Sequence, residues 1–164
     1  MSGESASEET SPPETAGGCQ LIAGDSPPQL KRRKMTILRG PFEVTTDSEP
    51  PFYEQDGVII NRNVVRKTFT GAVTGTSEAH MIAARTPDPG SAGYVAIEHF
   101  TGTVDGKEGT FVLQHHGIVA HGEPELSVVI VPGTGTGELT GISGTMTIDN
   151  VDGDHSYTFD YKLA

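Results

Sequence analysis

The sequence predicts an all-β fold, a closed antiparallel barrel preceded by a polar N-terminal arm. Three observations carry this expectation. Glycine (21) and proline (11) are plentiful among the 164 residues, and no long helical pattern interrupts them. Seven or eight short runs of β-branched and aromatic residues recur at regular spacing, as in a barrel or sandwich. Asp-Gly pairs and one Thr-Pro-Asp-Pro-Gly stretch separate these runs, and such residues build tight turns. Eight strands close around a cavity for one small ligand, and a body of about 130 residues buries a core without staples.

Taken in order, residues 1–34 form the arm. Its first thirty positions are dominated by Gly, Ser, Pro, Glu and Thr, and their charged residues are all acidic. Such a segment buries too little apolar surface to fold alone. Its one apolar knot is Leu21-Ile22-Ala23, and Lys31-Arg32-Arg33-Lys34 follows. Composition alone reads the arm as a flexible extension. The sharper reading is a lid that folds over the body and sets Leu21 and Ile22 on an apolar opening, with the basic run tethering it to the acidic domain. Residues 35–164 form that domain. The first strand is expected over 36–46, with Gly40-Pro41 as an edge or bulge signal. A loop rich in Asp, Glu and Pro follows. One long strand is read over 58–75 and another over 76–86, before the Thr86-Pro87-Asp88-Pro89-Gly90 turn. Strands at 94–104 and 109–119 flank Asp105-Gly106, the strongest hairpin signal in the chain. A β-branched strand spans 125–131. The Gly-rich stretch 132–144 holds one helical turn near Glu138-Leu139. A last hairpin joins 145–149 to 156–163 across Asp152-Gly153, with Tyr157, Phe159 and Tyr161 on one face.

The formal net charge is −11, which repels nucleic acid and anionic membrane. The single cysteine, Cys19, lies in the arm, so no internal disulfide marks an oxidising compartment. No apolar run reaches the length of a membrane span, and no secretory signal is read at the N-terminus. The expected location is the cytoplasm. No metal is expected: His115 and His116 are adjacent and point to opposite faces of a strand, and His80, His121 and His155 are scattered. The acidic run 149–154 reads as a turn rather than a calcium loop, and the Gly-rich 133–137 run lacks the βαβ context of a nucleotide site.

The Asp105-Gly106 hairpin sorts its two strands by parity. One face carries Tyr94, Ala96, Glu98, Phe100, Phe111, Leu113 and His115; the other carries Val95, Ile97, His99, Val112, Gln114 and His116. Both faces mix bulk with titratable groups, so either one lines the cavity. On the first, Glu98 and His115 form an acid–base pair beside Tyr94. On the second, Gln114 offers donor and acceptor between His99 and His116, suited to gripping a carbonyl or enolate. The bland alternative is that these groups are ordinary polar residues with satisfied hydrogen bonds.

Segments 98–115 (Glu-His-Phe-Thr-Gly-Thr-Val-Asp-Gly-Lys-Glu-Gly-Thr-Phe-Val-Leu-Gln-His) and 131–144 (Val-Pro-Gly-Thr-Gly-Thr-Gly-Glu-Leu-Thr-Gly-Ile-Ser-Gly) resemble the signature of a bacterial family of uncharacterised small domains. That family is similar to the allene-oxide-cyclase-like, calycin-type barrel of eight antiparallel strands, and the likeness covers about residues 36–163. Related barrels include cyclases of polyketide biosynthesis that close spirotetramate or spirotetronate rings by an intramolecular Diels–Alder reaction. The arm resembles the lid of the pyrroindomycin-type members. This resemblance implies a cofactor-independent cyclase of antibiotic biosynthesis acting on an apolar polyene with an acidic head group. Gln114 would anchor the head group, aided by His116 and His99, with Glu98, His115 and Tyr94 as the set for the opposite facing. By analogy alone it also implies a homodimer. The rival readings are a lipocalin-like carrier of an apolar metabolite and a stress or housekeeping protein with a plain disordered arm.

Overall fold

Four hairpins of the chain turn on two residues with positive φ: Asp56-Gly57, Asp105-Gly106, His121-Gly122 and Asp152-Gly153. Two successive left-handed residues make the turn whose twist matches antiparallel strands, which is why glycine takes the second place each time. These turns string together nine strands in a computed structural model that describes residues 34–164. They are β1 (Thr36–Ser48), β2 (Tyr53–Gln55), β3 (Val58–Phe69), β4 (Val73–Arg85), β5 (Ala92–Val104), β6 (Lys107–Ala120), β7 (Glu123–Ile130), β8 (Ser143–Val151) and β9 (Asp154–Lys162). Neighbours pair antiparallel in the order β1-β9-β8-β7-β6-β5-β4-β3, and β1 returns to β3 over Phe42↔Phe69 to Ser48↔Asn63. The sheet therefore closes into the expected eight-stranded barrel, with β2 as a short extra strand on β3.

Two boundaries differ from expectation. The stretch read as one strand over 58–75 breaks at residues 70–72, where Gly71 adopts φ +99 and reverses the chain. The acidic loop after β1 holds β2, because Asp56-Gly57 folds Tyr53–Gln55 back onto β3. The helical turn near Glu138 is present as a single 3₁₀ turn, Gly137–Leu139.

The barrel has two unlike halves. At one end the turn at 70–72, Asp105-Gly106, the start of β1 and the end of β9 come together. This half is solid. Phe69, Phe100, Phe111, Tyr157, Phe159 and Tyr161 form a chain of ring contacts, with centroids 4.8 to 5.8 Å apart. Leu139, fully buried, stoppers this end. Gly109 of β6 permits the stopper, since a Cβ there would lie 2.1 Å from the carbonyl oxygen of Thr136. The other end, rimmed by loop 86–91 and the turns His121-Gly122 and Asp152-Gly153, is a mouth. The arm, with Leu21 and Ile22, lies outside the described residues.

Candidate functional site

Four consecutive strands each contribute one side chain to a polar cluster in the apolar interior, between the aromatic half and the mouth: Lys67 from β3, Ser77 from β4, Glu98 from β5 and His115 from β6. All four are buried, Glu98 completely. Inward parity puts them there, since Val65, Lys67 and Phe69 share one face of β3, just as Ala96, Glu98 and Phe100 share one face of β5.

Glu98 is the hub. Lys67 Nζ donates to its Oε2 at 2.6 Å, His115 Nε2 is 2.6 Å from the same oxygen, and Ser77 Oγ donates to Oε1. Burial pushes the Glu98 carboxyl up, but the His115 hydrogen bond and the Lys67 charge together outweigh it and hold the acid down at about 2. Glu98 is therefore a carboxylate that only accepts, so Nε2 of His115 carries the proton of that bond. In the neutral imidazole, Nδ1 is then a bare lone pair. Among the described residues it has no hydrogen-bond partner, nor is it a sealed, unpartnered atom. His115 also lines the cavity above.

That cavity has a volume of about 140 Å³. Lys67, His115, Tyr94 and His155 are its polar lining; Phe42, Val44, Val65, Ala79, Met81, Ala96 and Ile148 make up the rest. The Phe42 ring lies 5.6 Å from Lys67 Nζ and 5.3 Å from the His155 ring. Tyr94 leans over Gly117, its partner on β6, where a Cβ would come 2.3 Å from the phenol ring. Burial, and secondarily the Glu98 charge, raise the Tyr94 pKa, so the phenol keeps its proton as a donor. A shallower depression of about 860 Å³ between β1 and the β8–β9 turn shares Phe42, Val44 and His155 with the cavity.

The two facings left open by hairpin parity are thus resolved. Glu98, His115 and Tyr94 point inward. Gln114, His116 and His99 point outward and are exposed, so their assignment to the cavity is corrected. Their outer face also carries the exposed Val95, Ile97 and Val129. Lys67 and Ser77 escaped the sequence reading, although the parity of Val65 and Phe69 already placed a lysine on an apolar face. No group of three or more His, Cys, Asp or Glu residues stands together as a metal site among the described residues. No helix there is long and apolar enough to cross a membrane.

The class defined so far is an eight-stranded antiparallel barrel with a charged centre beneath a half-open apolar cavity. Residues 38–161 match the family described as "Protein of unknown function (DUF3224)", and the chain belongs to that family. A crystal structure of a DUF3224 protein with unknown function from Shewanella oneidensis MR-1 is similar to it: 41% identical, covering 80% of this chain and 98% of that one, with a TM-score of 0.77. No curated protein matches the chain.

Proposed function

We propose that this barrel is a cofactor-independent cyclase whose polar centre holds the acidic head of a conjugated substrate. The observation that carries the reading is the free Nδ1 of His115, set in an apolar cavity by a buried carboxylate on Nε2. A carboxylate that fixes the tautomer leaves the far nitrogen to act on a substrate proton or oxygen. The head-group carbonyl takes hydrogen bonds from Lys67 Nζ and the Tyr94 phenol, which polarise the conjugated chain. The cavity of about 140 Å³ accepts a ring-sized head group but not a long polyene. The depression beside Phe42 and His155 takes the chain and folds it so that diene and dienophile meet, an entropy trap. The finer reading, spiro-ring closure on a tetramate or tetronate, rests on the sequence resemblance. The anchoring role that the resemblance implies for Gln114 falls to Lys67 and Tyr94 in this reading.

The test is incubation with a linear polyene tetramate, followed by mass spectrometry and chromatography. A new isomer of unchanged mass is expected. His115→Gln should slow its formation about tenfold or more, the worth of one charge-assisted hydrogen bond, whereas the outward Gln114→Ala should not. Retention of the tetramate without conversion would replace the cyclase by a carrier, the reading that the mainly apolar lining also supports.

A further inference from the structure

Charge counting within the barrel constrains what the cavity accepts. Lys67 and Glu98 neutralise one another, and the buried cluster has no net charge while His115 is neutral. Nζ of Lys67 has three N–H bonds, and Glu98 takes one of them. The titratable groups facing His115 or its cavity are Glu98 and Tyr94 from β5, Lys67 from β3 and His155 from β9; β1, β4 and β8 contribute only apolar lining. An anionic ligand arriving from water would have to approach a chain of net charge −11 and shed its hydration at an apolar mouth. A neutral weak acid meets neither barrier.

We infer that the site takes planar weak acids with an enol or phenol hydroxyl, which enter neutral and ionise inside by giving their proton to Nδ1 of His115. The ligand O–H bond breaks and its electron pair stays on oxygen. The proton forms the new Nδ1–H bond, and the resulting imidazolium lies between Glu98 and the new anion. Lys67 Nζ and the Tyr94 phenol hold the anionic oxygen, while Phe42 and His155 flank the ring. Protonation of His115 raises the cluster charge by one and the ligand anion cancels it, so the buried site stays neutral throughout. This inference rests on the reading above for the location of the site and adds the ligand class.

The probe is m-nitrophenol, whose neutral and ionised forms absorb at different wavelengths. It is titrated with the full-length protein at about pH 7, above the ordinary imidazole range and more than a unit below the phenol's own pKa. The expected result is a saturable phenolate band, with at least tenfold more phenolate than the free compound shows at that pH. Nitrogen-15 NMR of the wild-type imidazole should show Nδ1 becoming protonated as the band grows, a measurement that needs no variant to fold. His115→Gln should bind the neutral phenol and lose the band. Binding with only the neutral spectrum overturns the inference, as does no binding to folded protein. A phenolate band without tetramate conversion keeps the inference and removes the cyclase. Conversion with a neutral spectrum does the reverse.

Discussion

A carboxylate with no exposure is stable inside a barrel only when its lone pairs are occupied. Glu98 meets that condition with three donors from three different strands. Losing one member of such a cluster strands the others, so Glu98→Ala should cost about 3–5 kcal/mol by leaving the Lys67 ammonium buried and unpaired. The double substitution Lys67→Met with Glu98→Gln should destabilise less than the two single changes summed, because it removes both charges together. Denaturant midpoints of the four proteins would decide this, and strict additivity would show that the pair is not coupled. The pH dependence has a fixed sign. Glu98 is a stronger acid when folded than when unfolded, so its contribution is complete above about pH 4.5 and is lost as pH falls towards 2. A contribution of order 3 kcal/mol should disappear across that interval. Urea unfolding from pH 5 to pH 2 should show the steep loss in wild type and a flatter profile in Glu98→Gln.

At the scale of single elements, glycines decide what the strands carry. Gly117 gives the Tyr94 ring its place, and Gly117→Ala would drive a methyl group into it. The ring is only partly buried and can swing aside, so the fold should survive with a small loss of stability while the cavity wall is rearranged. Expected outcomes are a shift of several degrees or less in Tm, displaced Tyr94 ring resonances, and m-nitrophenol binding weakened several-fold. Unchanged Tyr94 resonances would show that the ring does not depend on this gap. Strands were the legible elements: alternation in Tyr157, Phe159 and Tyr161 marked an inward face, and Asp105-Gly106 and Asp152-Gly153 marked hairpins that the fold contains. The His121-Gly122 and Asp56-Gly57 turns use the same left-handed pair but are not flanked by so clear an alternation. The break at Gly71 carried too little turn chemistry to divide one β-branched run into two strands. The inward face of the central hairpin was undecidable locally, because both faces mix apolar and titratable groups. Only barrel closure through β1 and β3, which brings Lys67 level with Glu98, selects one.

Over the whole molecule, stability is unevenly distributed. The aromatic half, with its rings in mutual contact and its Leu139 stopper, holds the most tightly packed side chains, whereas the mouth half surrounds a cavity. The β7–β8 seam adds a weak line, since the two strands pair only at Val129↔Thr145. Native-state hydrogen exchange should therefore be slowest for β5 and β6 amides near Phe100 and Phe111, and faster along β8 and around the mouth. Uniform protection at both ends would contradict this ordering.

The division between a solid and a hollow half bears on how such a barrel diversifies. Most substitutions destabilise, and selection removes those that take stability below what function requires. Val65, Met81 and Ile148 border empty space and are only partly buried, so each can change size with little effect on the ring stack below. Under the proposed binding role, the compound accepted would then change from relative to relative while the architecture stays fixed. If the proposed chemistry is common to this chain and the 41% identical barrel from Shewanella oneidensis, the Lys67–Ser77–Glu98–His115 cluster, rather than the walls around it, would be the place to look for it.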